Sequence, residues 1–589
     1  MALFTPSASP AVTVKEIDLT GVVPNVQTST GAFVGDFGWG AAGEVILVSD
    51  EAGLVSTFSA PTTSNTVDFH SAAYFLRYSN SLYVVREVDS DAKNSVAINT
   101  NKDTAANVAQ QIKNREAFDA ISLNDSDGAF IAQYPGSLGN SLQVSICVQD
   151  SAGTTTFDSW AFKSSFDRAP GTSSYVTNLG GSRDEIHVAV IDRDGGISGT
   201  VGTVLETFPH LSVATNAKNT DGTSNYYKDV IKNSSSYIYA GQFYEGDSAG
   251  SSDAVGALWD TAATISGENF GVSSGQKTNS QQTWNFAAGA NSTALGTSDV
   301  LRGFDKFEDK DNIEIDFLIA PEALTTGEAT TVVNDLVATA TARKDCVAVA
   351  SPDRAAVVTT GTTTAITTTT DTFTQSTYLF VDNNYLKVFD KYNDQFIKIP
   401  ASSSTAGLMA STDLVAAPWF SPAGQRRGNY LGVTDIVVAP TKADRDTLYK
   451  AGVNPIANIP GQGIMLFGDK THTDRPSAFD RINVRRLFLA IERAIETAGK
   501  NVMFEFNDEF TRAEFVNIVE PFLREVQGRR GITDFRVVCD ETNNTSAIVD
   551  ANEFVASIFV KPARSINYVT LNFVAVRSGI DFEEVAGTV

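Results

Sequence analysis

The clearest alternation of apolar and polar positions lies near the C-terminal end of the chain. Leu487, Ile491 and Ile495 recur every four positions within residues 480–498, which predicts an amphipathic helix that Gly499 ends. The charged residues of this segment are Asp480, Arg481, Arg485, Arg486, Glu492, Arg493 and Glu496. The pattern therefore predicts a helix with one buried face and one charged face.

Thr511 and Glu514 are spaced as a capping box, which predicts the start of a second helix, and Pro521 should kink or divide it. Strands are predicted around this helix at residues 501–506, 535–540, 554–560 and 566–576. The first two flank the helix as a β-α-β unit. The last strand is long, apolar on both faces and without a partner of its own, which is typical of a protein that assembles.

The N-terminal segment shows the same feature in shorter form. Val12, Val14 and Ile17 form a short apolar run with no adjacent segment to pair with it. A sheet edge in another copy can satisfy the backbone groups of such a strand. We therefore predict two arms, residues 1–22 and 577–589. The side chains that we expect to join subunits in or beside them are Val12, Val14, Ile17, Val574, Val576 and Phe582.

Short β-branched and aromatic runs between residues 31 and 239 predict a β-rich α+β region with more than one lobe. Residues 241–300 are rich in Gly, Ser, Ala and Asn, which is consistent with surface excursions or an insertion. The threonine tract 359–376 favours an extended linker or loop, with an edge strand as the alternative.

The expected fold class is α+β with several domains. Residues 23–378 would form β-rich outer domains, with possible nested insertions near 92–183 and 241–300. Residues 379–576 would form a C-terminal α/β domain, and the arms would extend from it.

Charge changes this picture in one respect. The 589 residues carry a formal net charge of −25, which disfavours nucleic acid and anionic membranes as partners. Residues 1–400 hold 24 basic and 46 acidic side chains, a net charge of −22, whereas residues 401–589 hold 20 and 23, a net charge of −3. The acidic part is typical of a solvated exterior, and the nearly neutral part is where we expect contacts.

The few, unpaired cysteines are typical of a protein from a reducing compartment. The 3 cysteines show no paired spacing, so we expect neither a disulfide framework nor a thiolate zinc site. No secretion signal or apolar run of membrane-spanning length is apparent. We therefore expect a soluble chain, made in cytoplasm and not inserted in a membrane.

The search for catalytic motifs favours simple structural roles. The loops that start at Asp125 and Asp192 lack the acidic ligand that would close a calcium loop. The 4 histidines are not at metal-ligand spacing, and His187 fits a packed side chain within a strand. No nucleophile elbow, phosphate-binding loop or dinucleotide fingerprint is present. We expect no enzymatic activity, no cofactor and no metal.

Longer segments carry a family resemblance. They are IAQYPGSLGNSLQVSI (131–146), FDRAPGTSSYV (166–176), DEIHVAVIDRDGGISG (184–199), NTDGTSNYYKDVI (219–231), ATARKDCVAVASP (340–352), VFDKYND (388–394), TDLVAAPWFSPAG (412–424), LYKAGVNPI (448–456), GDKT (468–471) and the C-terminal block from 481. In this order they resemble the contractile tail sheath proteins of T-even-like myovirus phages. The resemblance extends from about residue 5 to residue 582.

The resemblance implies a virion subunit that forms stacked hexameric rings around a tail tube and contracts to drive the tube through the host envelope. It implies that the C-terminal domain lies against the tube, that the outer domains protrude, and that both arms complete the sheets of neighbouring subunits. The implied partners are other copies of the chain, the tail tube protein, the baseplate and the tail terminator.

Two questions stay open at this point. Arg481, Arg485, Arg486 and Arg493 either meet the tube or a neighbouring subunit, or form a solvated helix face paired with glutamates. The alternatives to a sheath subunit are a phage appendage enzyme such as a capsule hydrolase, and a non-contractile virion or surface-layer protein.

Overall fold

A computed structural model describes residues 29–97, 110–123, 127–153, 155–241, 258–272, 283–500 and 502–567. These residues divide into two compact units. The larger unit holds residues 29–416 and 422–482, and the smaller unit holds residues 417–421 and 483–567. The two predicted arms, with Val12, Val14, Ile17, Val574, Val576 and Phe582, lie outside the described residues.

The strands of the described residues are β1 (Gly31–Gly35), β2 (Val45–Val48), β3 (Leu82–Arg86), β4 (Asn94–Ala97), β5 (Phe130–Pro135), β6 (Leu142–Cys147), β7 (Glu185–Asp192), β8 (Thr203–Ser212), β9 (Ile238–Ala240), β10 (Thr283–Ala287), β11 (Phe317–Ile319), β12 (Val347–Ala350), β13 (Leu379–Val381), β14 (Tyr385–Asp390), β15 (Gln395–Pro400), β16 (Asp435–Ile436), β17 (Ile456–Ile459), β18 (Gly463–Leu466), β19 (Ile532–Val538) and β20 (Ser557–Pro562).

The α-helices of the described residues are α1 (Glu51–Phe58), α2 (Thr66–Leu76), α3 (Arg115–Ala120), α4 (Ser174–Leu179), α5 (Tyr227–Ser234), α6 (Thr297–Phe304), α7 (Thr326–Arg343), α8 (Thr363–Thr370), α9 (Ser402–Val415), α10 (Lys442–Lys450), α11 (Ile482–Lys500), α12 (Glu509–Gly528) and α13 (Ser546–Asp550). None of them is long and apolar enough to cross a membrane.

The larger unit is built on a six-stranded sheet in the order β13-β12-β11-β1-β3-β2. All neighbouring pairs are parallel except β2 with β3. Runs such as VAVA in β12 and LFV in β13 are buried throughout, as expected for parallel strands covered on both faces. Val349 of β12 pairs with Phe380 of β13, so a domain boundary between residues 378 and 379 would separate two hydrogen-bonded strands. The compact units instead divide at residue 483.

The chain between β3 and β11 contributes a second sheet to the same unit. This sheet has seven strands in the order β8-β7-β6-β10-β4-β5-β9, and all its neighbouring pairs are antiparallel. Strand β10 returns between β4 and β6, so strands from both 92–183 and 241–300 belong to one sheet. His187 is fully buried in β7, and its Nδ1 accepts a hydrogen bond from the His210 backbone at 3.0 Å. The prediction of a packed histidine is confirmed.

Arg86, at the end of β3, joins the two sheets. Its guanidinium donates to the carbonyl oxygens of Phe37 at 2.7 Å, Gly40 at 2.6 Å and Pro135 at 2.6 Å. Phe37 and Gly40 follow β1, whereas Pro135 ends β5 of the inserted lobe. Burial lowers the pKa of Arg86 to about 10, so the side chain stays charged at neutral pH.

The prediction of an extended threonine tract is wrong. Residues 355–360 form a π-helical turn and residues 363–370 form α8. The Thr362 side chain caps α8 by accepting from the Ala365 N–H, and the Thr368 hydroxyl donates to the Thr364 carbonyl at 2.8 Å. Local bonds of this kind, together with the burial of Ile366, outweigh the low helix propensity of threonine.

Two partly buried carboxyl groups lie close together beyond the end of β1. The Asp68 carboxylate on α2 accepts a hydrogen bond from the Asp36 N–H at 2.8 Å. Burial is the main cause that raises the pKa of Asp68 to about 7 and that of Asp36 to about 6. A raised carboxyl pKa contributes stability that is present at low pH and is lost as pH rises through the folded-state value.

We therefore expect the larger unit to lose less stability between pH 4 and pH 7 in Asp68→Asn than in the parent chain. At pH 8 the variant should be more stable than the parent chain by on the order of 2 kcal/mol. Urea unfolding followed by circular dichroism across this pH range measures the effect, and Asp158→Asn, at an exposed position, is the control. An unchanged pH profile in Asp68→Asn would contradict the assignment.

A close helix contact gives a second prediction. A Cβ atom added to Gly407 of α9 would lie 2.5 Å from the Tyr78 ring, whereas one added to Gly327 of α7 would meet nothing within 4 Å. Gly407→Ala should cost about 1–3 kcal/mol through overpacking. Gly327→Ala, the matched control, should stabilise by about 0.5 kcal/mol because it restricts the unfolded chain. Equal midpoints of urea unfolding for the two variants would show that α9 can move away from Tyr78.

Candidate assembly surface

The smaller unit holds the C-terminal helices and the β19–β20 sheet. Helix α11 confirms the predicted helix, with Leu487, Ile491 and Ala498 buried along one side. Helix α12 buries Phe515, Val519, Leu523 and Val526. Together these residues form part of the unit's apolar core.

The predicted capping box of α12 is wrong by one turn. The helix begins at Glu509, and its N-cap is Asp508, whose carboxylate accepts from the Thr511 N–H at 2.8 Å. That backbone hydrogen bond lowers the pKa of Asp508. Pro521 does not divide α12, which continues to Gly528, and its exposed ring lies on the outer side of the helix.

The four predicted arginines lie in different environments. Arg481 precedes α11 and belongs to the larger unit, where its Nη1 atom lies 3.0 Å from Asp469 Oδ1 and donates to the Tyr449 hydroxyl. Arg485 and Arg486 are only 7% and 4% exposed in the smaller unit. Arg493 is partly exposed. The described structure therefore contains no single exposed strip formed by all four side chains.

Residues 502–506 do not form the predicted strand. The Val502 N–H donates to the Gly499 carbonyl at 3.1 Å, and the Glu505 N–H donates to Val502 at 3.3 Å, so the segment turns. Phe504 has a φ of 70°, a left-handed conformation that is rare for an aromatic residue. A strand needs a neighbouring strand to pair its backbone N–H and C=O groups. In the single chain the hydrogen bonds of this turn take the place of that pairing.

The same turn exposes a cluster of large apolar side chains, which we call the aromatic turn. Its members, with their exposed fractions, are Met503 (58%), Phe504 (100%), Phe506 (84%) and Phe510 (75%). A soluble single chain rarely exposes so much contiguous apolar surface, and such patches mark protein interfaces. Sequence reasoning missed this cluster because the strand prediction placed alternate residues in the core, although the density of phenylalanine in 504–515 was a usable signal.

The sheet beside this turn has two strands, which are antiparallel and interrupted by a bulge near Ile532. Phe535, Val537, Ile558 and Val560 pack against the core of the smaller unit. The opposite face carries Phe559, which is 61% exposed. Within the described residues β20 pairs only with β19, so its second edge is open. A two-stranded sheet is marginal by itself, and an open edge can take a further strand.

An apolar groove of about 1130 Å³ lies next to this sheet. It is lined from α11, from the aromatic turn, from the start of α12 and from residues 549–560. The apolar side chains that line its interior include Ile491, Ile495, Phe515, Phe554, Ile558 and Val560. The groove, the aromatic turn and the open edge of β20 together form what we call the assembly surface. The described residues hold no cluster of three or more His, Cys, Asp or Glu side chains suited to a metal ion.

Comparison with known proteins decides the family. Residues 293–472 match the phage tail sheath protein central domain, and residues 474–575 match the phage tail sheath protein C-terminal domain. The tail sheath protein of Enterobacteria phage T4 is 32% identical over 664 aligned positions, which cover 98% of this chain and 99% of the relative. The chain belongs to the phage tail sheath protein family.

Other relatives agree. The tail sheath protein of Vibrio phage KVP40 is 31% identical, with 98% of this chain and 99% of the relative covered. The crystal structure of the sheath tail protein of Listeria innocua is 11% identical, with a TM-score of 0.51 over 91% of this chain and 96% of that chain, so it supports the fold. The predicted α+β fold and the resemblance to contractile tail sheath proteins are confirmed. The chain is a structural subunit of a phage tail sheath and a component of the virion.

The aromatic turn of this sheath protein gives a third prediction. Because Phe504 and Phe506 are 100% and 84% exposed, the double variant Phe504→Ser/Phe506→Ser should change the free energy of unfolding of the monomer by no more than about 0.5 kcal/mol. Binding of an apolar fluorescent dye should fall clearly. Val201→Ser, at another exposed apolar position, is the control and should leave dye binding almost unchanged. A strongly destabilised double variant would mean that these side chains pack within the monomer.

Proposed function

We propose that copies of this sheath protein polymerise by strand exchange at the assembly surface. Arms 1–22 and 577–589 of neighbouring copies would add to the open edge of β20 and fill the groove. The polymer would consist of stacked hexameric rings around the tail tube. Its contraction would drive the tube through the host envelope.

The open edge of β20, with an apolar groove beside it, is the observation that carries this proposal. The edge offers unpaired backbone groups, and the groove is lined by Ile558 and Val560 from the same strand. Each arm of four to six hydrogen bonds would contribute roughly 4–6 kcal/mol before the cost of ordering it. One arm is a weak link, but two arms from every subunit tether each copy to several others.

Such tethers suit a lattice that changes its shape. Segments 24–28 and 577–582 would act as hinges, so that rings rotate and slide while the strands stay paired. Ser29 and Thr30, which the sequence alone would add to the first hinge, bond to Ser79 and Asp316 within the larger unit. The energy of contraction would come from the difference between two sets of subunit contacts, and no nucleotide would be consumed. The sequence agrees with this mechanism because it contains no phosphate-binding loop motif.

The remaining assignments follow the family. The C-terminal part would lie nearest the tube and the preceding domains would protrude outward. The partners would be the tail tube protein, the baseplate and the tail terminator, with no nucleic acid, no membrane insertion and no catalytic activity. Synthesis would take place in the host cytoplasm. Of the four arginines, Arg493 is the best placed to meet the tube or a neighbour, since Arg485 and Arg486 are buried.

Arm deletion tests the proposal. Removing residues 1–20, or residues 577–589, should leave a folded monomer that no longer polymerises, because residues 29–567 already supply an extensive apolar core to each compact unit. Circular dichroism measures the fold, and sedimentation with electron microscopy measures the polymer. The full chain is the control and should form hollow cylinders.

Two results would count against strand exchange. One is polymers of normal length and width from both deletion variants. The other is collapse of the fold in either variant, which would place the arms within their own subunit.

A further inference from the structure

The larger unit carries an exposed face that its own packing does not use. Strands β14 and β15 pair so that Phe389 lies opposite Phe396, and Lys387 lies opposite Lys398. The four side chains share one side of the hairpin, since residues two apart on a strand point the same way. Val388 and Ile397, on the other side, are buried. We call this exposed side the hairpin face.

The hairpin face combines aromatic and positive groups. Phe389 and Phe396 are 44% and 56% exposed, with ring centroids 5.3 Å apart. The Lys387 ammonium lies 5.0 Å from the centre of the Phe396 ring. Like charges directly opposite each other on a sheet are unfavourable, and Lys387 lies opposite Lys398 on one side. On its other side it lies opposite Asp435 of β16, so the two lysines outnumber the one carboxylate in this row. Strand β15 is also the edge of its three-stranded sheet, so its outer edge pairs with no other strand of the described residues.

An acidic segment of the same unit has the complementary charge. Its exposed carboxylates are Asp305, Glu308, Asp309, Asp311 and Glu314. Lys306 and Lys310 reduce but do not cancel this charge. Arg343 holds the segment in place by donating to the carbonyls of Phe307 and Ile313. The charge is therefore concentrated on a fixed surface.

The two surfaces lie at opposite ends of the parallel strands in the six-stranded sheet. The acidic segment leads into β11, and Arg343 ends the helix that precedes β12, so this surface lies at the amino-terminal ends of these strands. The hairpin starts after the carboxyl end of β13 and leads into α9, where the Ser402 hydroxyl donates to the Ala320 carbonyl just beyond β11. Complementary surfaces on opposite ends of one unit favour head-to-tail contact between copies, which generates open helical polymers.

We propose that the hairpin face of one copy binds the acidic segment of a second copy. Lys387 and Lys398 would pair with carboxylates of the segment, and Phe389 and Phe396 would bury their exposed rings at the contact. This contact rests on the proposed polymerisation. It is separate from strand exchange, because it lies in the larger unit and uses neither arm.

Charge exchange in the full-length chain tests the contact. The variant Lys387→Glu/Lys398→Glu should raise the protein concentration for half-maximal polymerisation by roughly tenfold at low salt. The variant Asp309→Lys/Asp311→Lys should do the same. The four substitutions combined should restore polymerisation to within about threefold of the parent chain, because the opposite charges meet again.

A second variant isolates the apolar part. Phe396→Ser should weaken polymerisation at both low and high salt, whereas the effect of charge reversal should shrink at high salt. The control Lys218→Glu/Val201→Ser changes an exposed lysine and an exposed apolar residue in the inserted lobe, and should polymerise normally. Circular dichroism and urea unfolding confirm that each variant is folded.

The outcomes separate this contact from the proposed function. If the parent chain polymerises but both charge-reversed variants match it, or if the combined variant is no better than either alone, the contact is refuted while strand exchange stands. Variants that polymerise normally but no longer bind purified tail tubes would also refute it, since the face would then belong to the tube contact. A parent chain that forms no polymer would refute the proposed function itself.

Discussion

A β-strand in a single chain must either pair its backbone groups or leave them to water, and this constraint governs the smaller unit of the sheath protein. Strand β20 pairs with β19 on one side only, within the described residues. An apolar groove lies beside this open edge, so a partner could contact apolar side chains there as well as backbone groups. The turn at residues 502–506 follows from the same constraint, because this segment has the composition of a strand but pairs with no other strand of the described residues, and it bonds locally instead.

The central strands of the larger unit, by contrast, are covered by its own packing. Its parallel strands are buried on both faces, and β1 lies at the centre because later segments return to pair beside it. The inserted lobe has its own antiparallel sheet and its own apolar core. The larger unit therefore buries most of its strands within the single chain, whereas the smaller unit leaves a strand edge and several phenylalanine rings exposed among the described residues.

Sequence reasoning succeeded where the interactions are local. Helix α11 has a long amphipathic pattern, and its bounds lie close to the predicted 480–498. It failed where strands that are far apart in the sequence pair with each other. Strand β13 pairs with β12 although a domain boundary was expected between them, after residue 378. The threonine tract failed for another reason, since side-chain hydroxyls such as that of Thr368 bond to the carbonyls of their own helix. Of the assembly surface, the sequence predicted the strand at 554–560 that overlaps β20, but not the exposed phenylalanines.

Arg86 has a mechanical consequence. One guanidinium binds carbonyls of the loop after β1 and of β5, so three directional bonds reinforce the apolar contact of Trp39 with Tyr134 at this junction. Such a junction is stiff against shear. A torque applied to the inserted lobe would therefore reach the parallel sheet with little loss, so the lobe would turn together with the rest of its unit.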